Sequence, residues 1–394
     1  MTLFALVVLR VFNRGYARAT SPPQPKDTML YKKQLTGSHV GLVVGSFAPL
    51  HRGHIDQILR AKKENPGGTL VIVAGSQQDA GEQAGMKHTK RYRYVSEHFK
   101  NDPLVIVDSL DETDLTSPEA WVKALDGFWA THVAAGAERC LYLLDEEHSS
   151  RFRAGNQDAD GQPTARLAPC QLPASEPDIR ENPLAHWDLI APPFRRFFTR
   201  NVLVMGAASG GKTTLVEDLG KLYNAPYSYE YARVYQVEAN IRDEDYDLLD
   251  YQNVLTGQFN LNRETIDNPG NRGLTLMDTD AMVTKAYAAM SAADPASELS
   301  ETDYAKLLPL ADSLIAKARW DLILFIPPVG ASGYTLDGFR SQTNNSDDYL
   351  GEISRIMLAE VEAAGLLDRL VLLDGADYAE RYEQAKAAIE RLLP

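Results

Sequence analysis

The sequence predicts an α/β protein of two three-layer domains, and three observations carry that prediction. The chain has 394 residues, enough for two cores of ordinary size. Apolar runs of strand length recur in both halves, bounded by glycine and proline turns and separated by stretches with helical periodicity. That alternation builds parallel sheets covered by helices. In the second half one such run, 202–205, turns into a glycine-rich loop and then into an amphipathic stretch, the strand, loop and helix order of a phosphate-binding unit.

Composition bounds the function classes. The chain is 44% hydrophobic and 24% charged, the balance of a soluble enzyme. A formal net charge of -14 leaves no basic surplus to neutralise a nucleic-acid backbone, so small phosphorylated ligands held by local N–H groups are the expected partners. Cys140 and Cys170 are the only cysteines, too few for a disulfide framework or a thiolate zinc site. They point to a reducing, cytoplasmic setting. The apolar run from Leu3 to Leu9 is too short to span a bilayer and lacks a small-residue cleavage pattern, so no membrane is expected and residues 1–37 read as a flexible tail.

In the first half, 40–44 reads as a central strand and His54 to Lys63 as the helix after a glycine and proline turn. Between them the phrase GSFAPLHRGH sets Gly45, Ser46, Phe47, His51 and His54 where a triphosphate can approach the backbone. His51 and His54 are spaced to share one side of a helix start, and each imidazole can donate to a phosphoryl oxygen whose charge grows during transfer. A metal site is the competing reading; it lacks a third ligand at local spacing. Residues 69–76 and 104–112 give two more strands, and 87–100 a basic helix whose Arg91 is expected beside the substrate. Trp121 and Trp129 fall in the next helix, as core or as a platform for a ring. A fourth strand, 140–147, leads into a polar stretch, 148–170, read as an exposed excursion. Beyond it Arg180 is placed to bind phosphate, with Ser175 nearby.

In the second half, 206–213 matches G-x-x-x-x-G-K-[ST]. Gly206, Ser209, Gly210 and Gly211 belong to a loop whose N–H groups close around phosphate oxygens, and ATP is the implied ligand. Lys212 reaches the terminal phosphates, and Thr213, with Thr214 beside it, places a hydroxyl on Mg2+. Residues 226–238 read as the next strand and turn, with Glu230 set to accept a proton from a substrate hydroxyl and Arg233 flanking it. An exposed turn carboxylate is the plain alternative. The acidic run 243–264 reads as a mostly helical surface region with Gln258 as a substrate contact. The strand opening 273–290 ends at Asp278, a position suited to a carboxylate holding Mg2+, and Asp280 orients the metal or a ribose. After the strand at 320–330 comes a polar loop with Asp337 and Arg340 placed to reach a ligand; a helix, a last strand at 370–375 and a closing amphipathic helix follow.

Taken in order, GSFAPLHRGH, RYRYV, DIRENPLAHWDLIAPPFRRFF, the glycine-rich loop, SYEYARVY, MDTD and LDGFR resemble the NadR-type bifunctional family, which joins nicotinamide-mononucleotide (NMN) adenylyltransferase to ribosylnicotinamide kinase. The resemblance implies a Rossmann-like nucleotidyltransferase domain over 38–183, a linker over 184–200 and a P-loop kinase domain over 201–394. It implies an enzyme of NAD biosynthesis with nicotinamide riboside, NMN, NAD and ATP as ligands and ATP and Mg2+ as cofactors. It also implies Glu230 or Asp280 as the base on the ribose hydroxyl, and Arg340 as a clamp on the transferred group. One departure stands out. The family's Ser-x-Thr-x-x-Arg pattern reads here Ser175, Glu176, Pro177, Asp178, Ile179, Arg180, which adds negative charge and removes a hydroxyl at a polyphosphate site. Three alternatives follow: a kinase with a degenerate regulatory N-terminal domain, the same two chemistries on another nucleoside, or a nucleotide sensor without turnover. A homo-oligomer fits the sequence as well as a monomer does.

Overall fold

The computed structural model describes residues 34–155, 166–167, 174–328 and 346–393. The expected contacts Asp337 and Arg340 lie outside them. Contacts divide the chain into two units. The smaller comprises the described parts of Met1–Gly45, Gln57–Ile72 and Asn101–Cys170, and the larger Ser46–Asp56, Val73–Lys100 and Gln171–Pro394.

The first sheet has strand order β3-β2-β1-β4-β5, built from β1 (His39–Gly45), β2 (Thr69–Gly75), β3 (Val105–Asp111), β4 (Glu138–Leu143) and β5 (Arg166–Leu167). β4 runs parallel to β1 and to β5. Helix α1 (Arg52–Glu64) follows β1 and α2 (His88–His98) follows β2. β2 is buried at every position, so its unbroken apolar run TLVIVAG is that of a strand covered on both faces. Helix α3 (Pro118–His132) starts on a Ser117 cap with proline in its first turn and buries Trp121 in the core. Trp121 is therefore core, with its Nε1 donating to Glu112.

The start of the polar stretch after β4 departs from the reading of an exposed excursion over 148–170; apart from Arg166–Leu167, the rest of that stretch lies outside the described residues. Residues Glu146–Gly155 form helix α4, with His148 and Phe152 buried. His148 donates between two carboxylates, Nδ1 to Asp145 at 2.6 Å and Nε2 near Glu112 at 3.4 Å, and stacks on Trp121. Burial alone would lower its pKa, but the two carboxylates overcome that and raise it to about 10. An ion network rather than an apolar stripe anchors this helix, which is why periodicity does not show it.

The second sheet lies in the larger unit and is parallel throughout, in the order β10-β9-β6-β8-β7. After the short helix α5 (Glu176–Glu181) its elements are β6 (Arg200–Gly206), α6 (Lys212–Tyr223), β7 (Tyr227–Ser228), α7 (Tyr231–Ala239), α8 (Leu248–Ile266), β8 (Leu274–Asp278), α9 (Ala281–Ala293), α10 (Glu301–Lys317), β9 (Leu322–Ile326), α11 (Asp347–Ala363), β10 (Leu370–Leu372) and α12 (Tyr378–Leu392). Strand alternation sends Val202 and Val204 to a core with Leu215, Leu219 and Ile389, and Leu203 and Met205 to another with Met282, Ile353 and Met357. Each such side chain, fully buried, contributes roughly 2 kcal/mol relative to exposure.

Three expectations change here. Only two residues of 226–238 form a strand, and Tyr231–Ala239 is helical; the alternation of tyrosine and valine imitates a strand. The acidic run is mostly helical as expected, but it is not surface alone, because one side of α8 buries Tyr251, Val254, Leu255, Gln258 and Asn262. Its carboxylates gather at the helix start, where Asp247 caps and Asp250 completes a capping box. Residues 184–200 are packed rather than loose: Trp187, Ile190 and Phe194 are buried, and Trp187 Nε1 donates to the Asn271 carbonyl at 2.7 Å.

Candidate active sites

The larger unit holds two clusters of anion-binding character. The first begins where β1 ends at Gly45. The chain then passes Ser46, a buried Phe47 at φ 50, and a cis Ala48–Pro49 bond before α1. A positive φ is unfavourable for phenylalanine, so the loop must be held from outside. Arg91 Nη1 donates to the Ser46 carbonyl at 2.7 Å, Arg180 donates to the Ala48 carbonyl, and Ala191 N donates to the Leu50 carbonyl at 3.0 Å.

The loop's donors face one place. Ser46 Oγ and the Ala48 N–H both donate to the Glu176 carboxylate, at 2.8 to 2.9 Å. His54 Nε2 and Arg180 Nη1 stand 3.7 Å from its two oxygens. The rings of His51 and His54 lie 3.8 Å apart, both buried. His51 Nδ1 accepts from the Gly53 N–H at 3.1 Å, so the neutral ring carries its proton on Nε2, which has no partner among the described residues. Burial lowers the His51 pKa to about 4, and burial with the neighbouring His51 charge holds His54 well below 6.5. An orphaned buried N–H, a hydroxyl, a backbone N–H and an arginine fit a phosphate group. Among the described residues no group of three His, Cys, Asp or Glu is placed to hold a metal ion.

Two residues expected on the nucleotide stand elsewhere. Arg91 is fully buried with Nη1 on the Ser46 carbonyl and Nη2 on Asp79, its Nε has no partner among the described residues, and Cβ atoms at Gly75 or Gly81 would strike it. It braces the loop instead of reaching a ligand. Ser175 caps α5 and gives its hydroxyl hydrogen to Asp178 at 2.6 Å, so the cap absorbs it.

The second cluster surrounds the loop between β6 and α6. Gly206 has φ 142, and a Cβ there would lie 2.3 Å from the Ile326 carbonyl oxygen; Ser209 and Gly211 also have positive φ. The glycine at 206 is thus required by the close approach of β9. Lys212, largely buried, donates to the Ala207 carbonyl at 3.0 Å, curling over the loop. Register pairs Val204 with Asp278, which brings the end of β8 beside the loop, and Thr213 Oγ1 donates to Asp278 Oδ2 at 2.6 Å. Thr214 is exposed on the next position. Burial pushes the Asp278 pKa up to about 6; Lys212, Thr213 and Arg233 oppose the shift and Glu230 adds to it. Lys212, Thr213, Glu230, Arg233 and Asp278 therefore share one electrostatic neighbourhood. A buried carboxylate paired with a threonine hydroxyl at the loop's end fits a magnesium ion, which needs few protein ligands when phosphates supply the rest.

Glu230 and Asp280 separate clearly. Glu230 is the residue before α7, partly exposed, with Arg233 Nε 3.4 Å away. Asp280 is buried and committed: one oxygen caps α9 through Met282 N and Val283 N, and the other accepts from Trp320 Nε1 at 3.0 Å. Three of its roughly four acceptor positions are taken by these structural bonds, which fixes the carboxylate in place. Gln258, read as a substrate contact, is a buried brace: it accepts from Tyr231 N at 2.6 Å and donates to the Tyr229 carbonyl and to Asn262. Asn262 in turn holds the Thr279 carbonyl at 3.1 Å, with Thr279 at φ 84. This amide pair, unseen in the sequence, locks the Glu230 turn to the end of β8.

The family described as cytidylyltransferase-like matches residues 42–141, and the family described as AAA domain matches 201–381. A crystal structure of NadR protein in complex with NR superposes with a TM-score of 0.76 at 33% identity, covering 92% of this chain and 98% of that one. The chain belongs to the NadR family. A second NadR crystal structure, in complex with NAD and AMP-PNP, gives a TM-score of 0.73 at 33% identity, with 91% and 97% covered. The trifunctional NAD biosynthesis/regulator protein NadR of Salmonella typhimurium is 25% identical over 78% of this chain and 73% of its own, and its Escherichia coli K12 counterpart 23% over 90% and 83%. As a NadR-type protein it is an enzyme of the bifunctional kinase and adenylyltransferase type. No helix among the described residues is long and apolar enough to cross a membrane.

Proposed function

We propose that the cluster around Lys212 transfers the terminal phosphoryl group of ATP to the 5′-hydroxyl of nicotinamide riboside, giving NMN and ADP. The cluster around His51 then joins NMN to the AMP part of ATP, giving NAD and pyrophosphate. The observation that carries the kinase assignment is the Thr213–Asp278 contact of 2.6 Å at the mouth of a loop that only glycine permits at 206. In this reading 38–183 is the Rossmann-like nucleotidyltransferase domain and 201–394 the P-loop kinase domain, with the packed segment 184–200 between them.

Bound Mg2+ supplies charge neutralisation across the phosphates, and Thr213 and Asp278 are the residues that would hold it. The loop N–H groups around 206–211 grip the phosphate chain, and Lys212 leaves the Ala207 carbonyl to follow the charge that moves onto the bridging oxygen. Glu230 accepts the proton of the attacking hydroxyl, and Arg233 keeps that carboxylate oriented. At the first cluster the nucleophile is the phosphate of NMN, so the chain positions and stabilises: His51 Nε2, His54, Ser46 and the Ala48 N–H are its donors. The NAD and AMP-PNP in complex with one NadR relative, and the NR in complex with the other, support this ligand set.

A kinase-only reading has one specific observation in its favour, the Glu176 carboxylate seated on the first cluster's donors. Incubating the protein with Mg-ATP and nicotinamide riboside, and separately with NMN, decides between them. ADP in the first and pyrophosphate with NAD in the second support both assignments; ADP alone leaves the kinase, and no consumption in either ends both.

A further inference from the structure

We propose that Glu176 is an internal competitor for polyphosphate at the first cluster, so that its carboxylate sets the affinity of the adenylyl-transfer step for ATP. This rests on the adenylyl-transfer reading of that cluster. A carboxylate and a phosphoryl group ask for the same partners, and Glu176 takes several of them: it accepts from Ser46 Oγ and Ala48 N and lies 3.7 Å from His54 Nε2 and Arg180 Nη1. Both of its oxygens are engaged, and the side chain is 17% exposed. Beside His54, whose ring lies 3.8 Å from that of His51, the buried His51 Nε2 has no partner among the described residues, so the cluster offers a donor that Glu176 does not satisfy.

The carboxylate is delivered rather than dangling. Ser175 caps α5 and is locked to Asp178 by a reciprocal pair of bonds, Pro177 falls in the helix's first turn, and Arg180 on the same helix ties back to the Ala48 carbonyl. A pre-ordered tether holds a competing group at an effective concentration of roughly millimolar or above, which weakens an outside ligand without closing the site. The negative charge also repels each phosphate that approaches. Pro177 and Asp178, which look like erosion of a phosphate motif, are the parts that aim Glu176.

A purely structural Glu176 and a competing one predict opposite signs. If it only braced the Ser46 loop, removing it would loosen the donors and weaken binding; if it competes, removal strengthens binding. The full-length chain and its Glu176→Ala and Glu176→Gln variants are assayed for pyrophosphate release from NMN against ATP concentration. Tripolyphosphate binding is measured by calorimetry on the same substitutions in a Lys212→Ala chain, where the second cluster keeps its loop N–H groups but is weakened, and any binding left there is common to all the chains compared. The expected result is a fall of about tenfold in KM for ATP and in the tripolyphosphate Kd for Glu176→Ala, and about threefold for the uncharged Glu176→Gln, which keeps one acceptor oxygen. Unchanged or raised values in both variants would overturn the proposal. Tighter tripolyphosphate with no pyrophosphate from any chain would keep Glu176 as competitor and remove the adenylyl-transfer reading. ADP formation from nicotinamide riboside reports whether each Glu176 variant is folded, and should the alanine form fail that check, the glutamine form decides.

Discussion

Asp278 concentrates the second site's chemistry in one side chain. It is fully buried, its pKa is pushed up to about 6 by that burial, and it touches Thr213 at the loop's end. If Asp278 holds Mg2+ as proposed, Asp278→Asn should lower kinase turnover by roughly two to three orders of magnitude, with a weaker dependence on Mg2+ concentration. Steady-state rates across a Mg2+ titration check this, and wild-type turnover would refute it. Glu230→Gln should lower kcat by roughly 100-fold or more while leaving KM for ATP near its starting value, because a base acts on the acceptor and not on the donor. His51 allows a pH prediction. Its folded pKa of about 4 lies below the unfolded 6.5, so between those values the unfolded chain binds more protons, and stability rises with pH. The full effect is about 3 kcal/mol. Asp278 and Asp280, both raised to about 6 by burial, act with the opposite sign in an overlapping window. The difference between wild type and His51→Asn isolates the histidine: denaturant midpoints should converge as pH falls from 6.5 toward 4.

At the scale of elements, the strand, loop and helix from Arg200 to Tyr223 turns on which glycine is replaced. Gly206→Ala puts a methyl 2.3 Å from the Ile326 carbonyl oxygen at φ 142, so β6 and β9 must part. Gly211→Ala meets no atom within 4 Å and bears only the strain of φ 85. Gly206→Ala should cost upward of 3 kcal/mol and Gly211→Ala about 1 kcal/mol. Melting temperatures that fall equally would contradict this. The loop and the end of β8 are legible in the sequence because their signals are local: an apolar run, glycines at fixed spacing, a carboxylate at a strand's end. What stays hidden is long-range. Arg91 looks like a ligand contact until Gly75, Gly81 and Asp79 close around it. Gln258 looks like a substrate contact until its amide is seen bracing Tyr231 N, and the bond that Trp320, 40 residues on, gives to the second Asp280 oxygen is invisible in the sequence. Glu176 is readable as like charge at a phosphate motif, but its seat on Ser46 and Ala48 depends on a contact spanning 130 residues.

For the molecule as a whole, both clusters lie in one compact unit, and Arg196 shows how that unit is tied. Its guanidinium meets Glu97, at the end of α2, through two bonds of 2.6 and 2.7 Å, and Asp267, just past α8, through two more of the same lengths, while lying over the Tyr94 ring. The α2 helix bears Arg91, which braces the first cluster, and α8 bears Gln258 and Asn262, which brace the second. Arg196→Met should therefore cost about 2 kcal/mol, less than a deeply buried pair because Glu97 and Asp267 are each about a third exposed. The informative measurement is how the two activities respond. Lys212→Ala should abolish ADP formation and spare any pyrophosphate release, and His54→Ala should do the reverse, since each removes donors from one cluster only. Arg196→Met touches neither cluster, so both activities should persist at low temperature and then disappear together a few degrees below the wild-type transition. If one activity outlived the other on heating this variant, the two clusters would unfold separately and the unit would not be the cooperative body that its contacts describe.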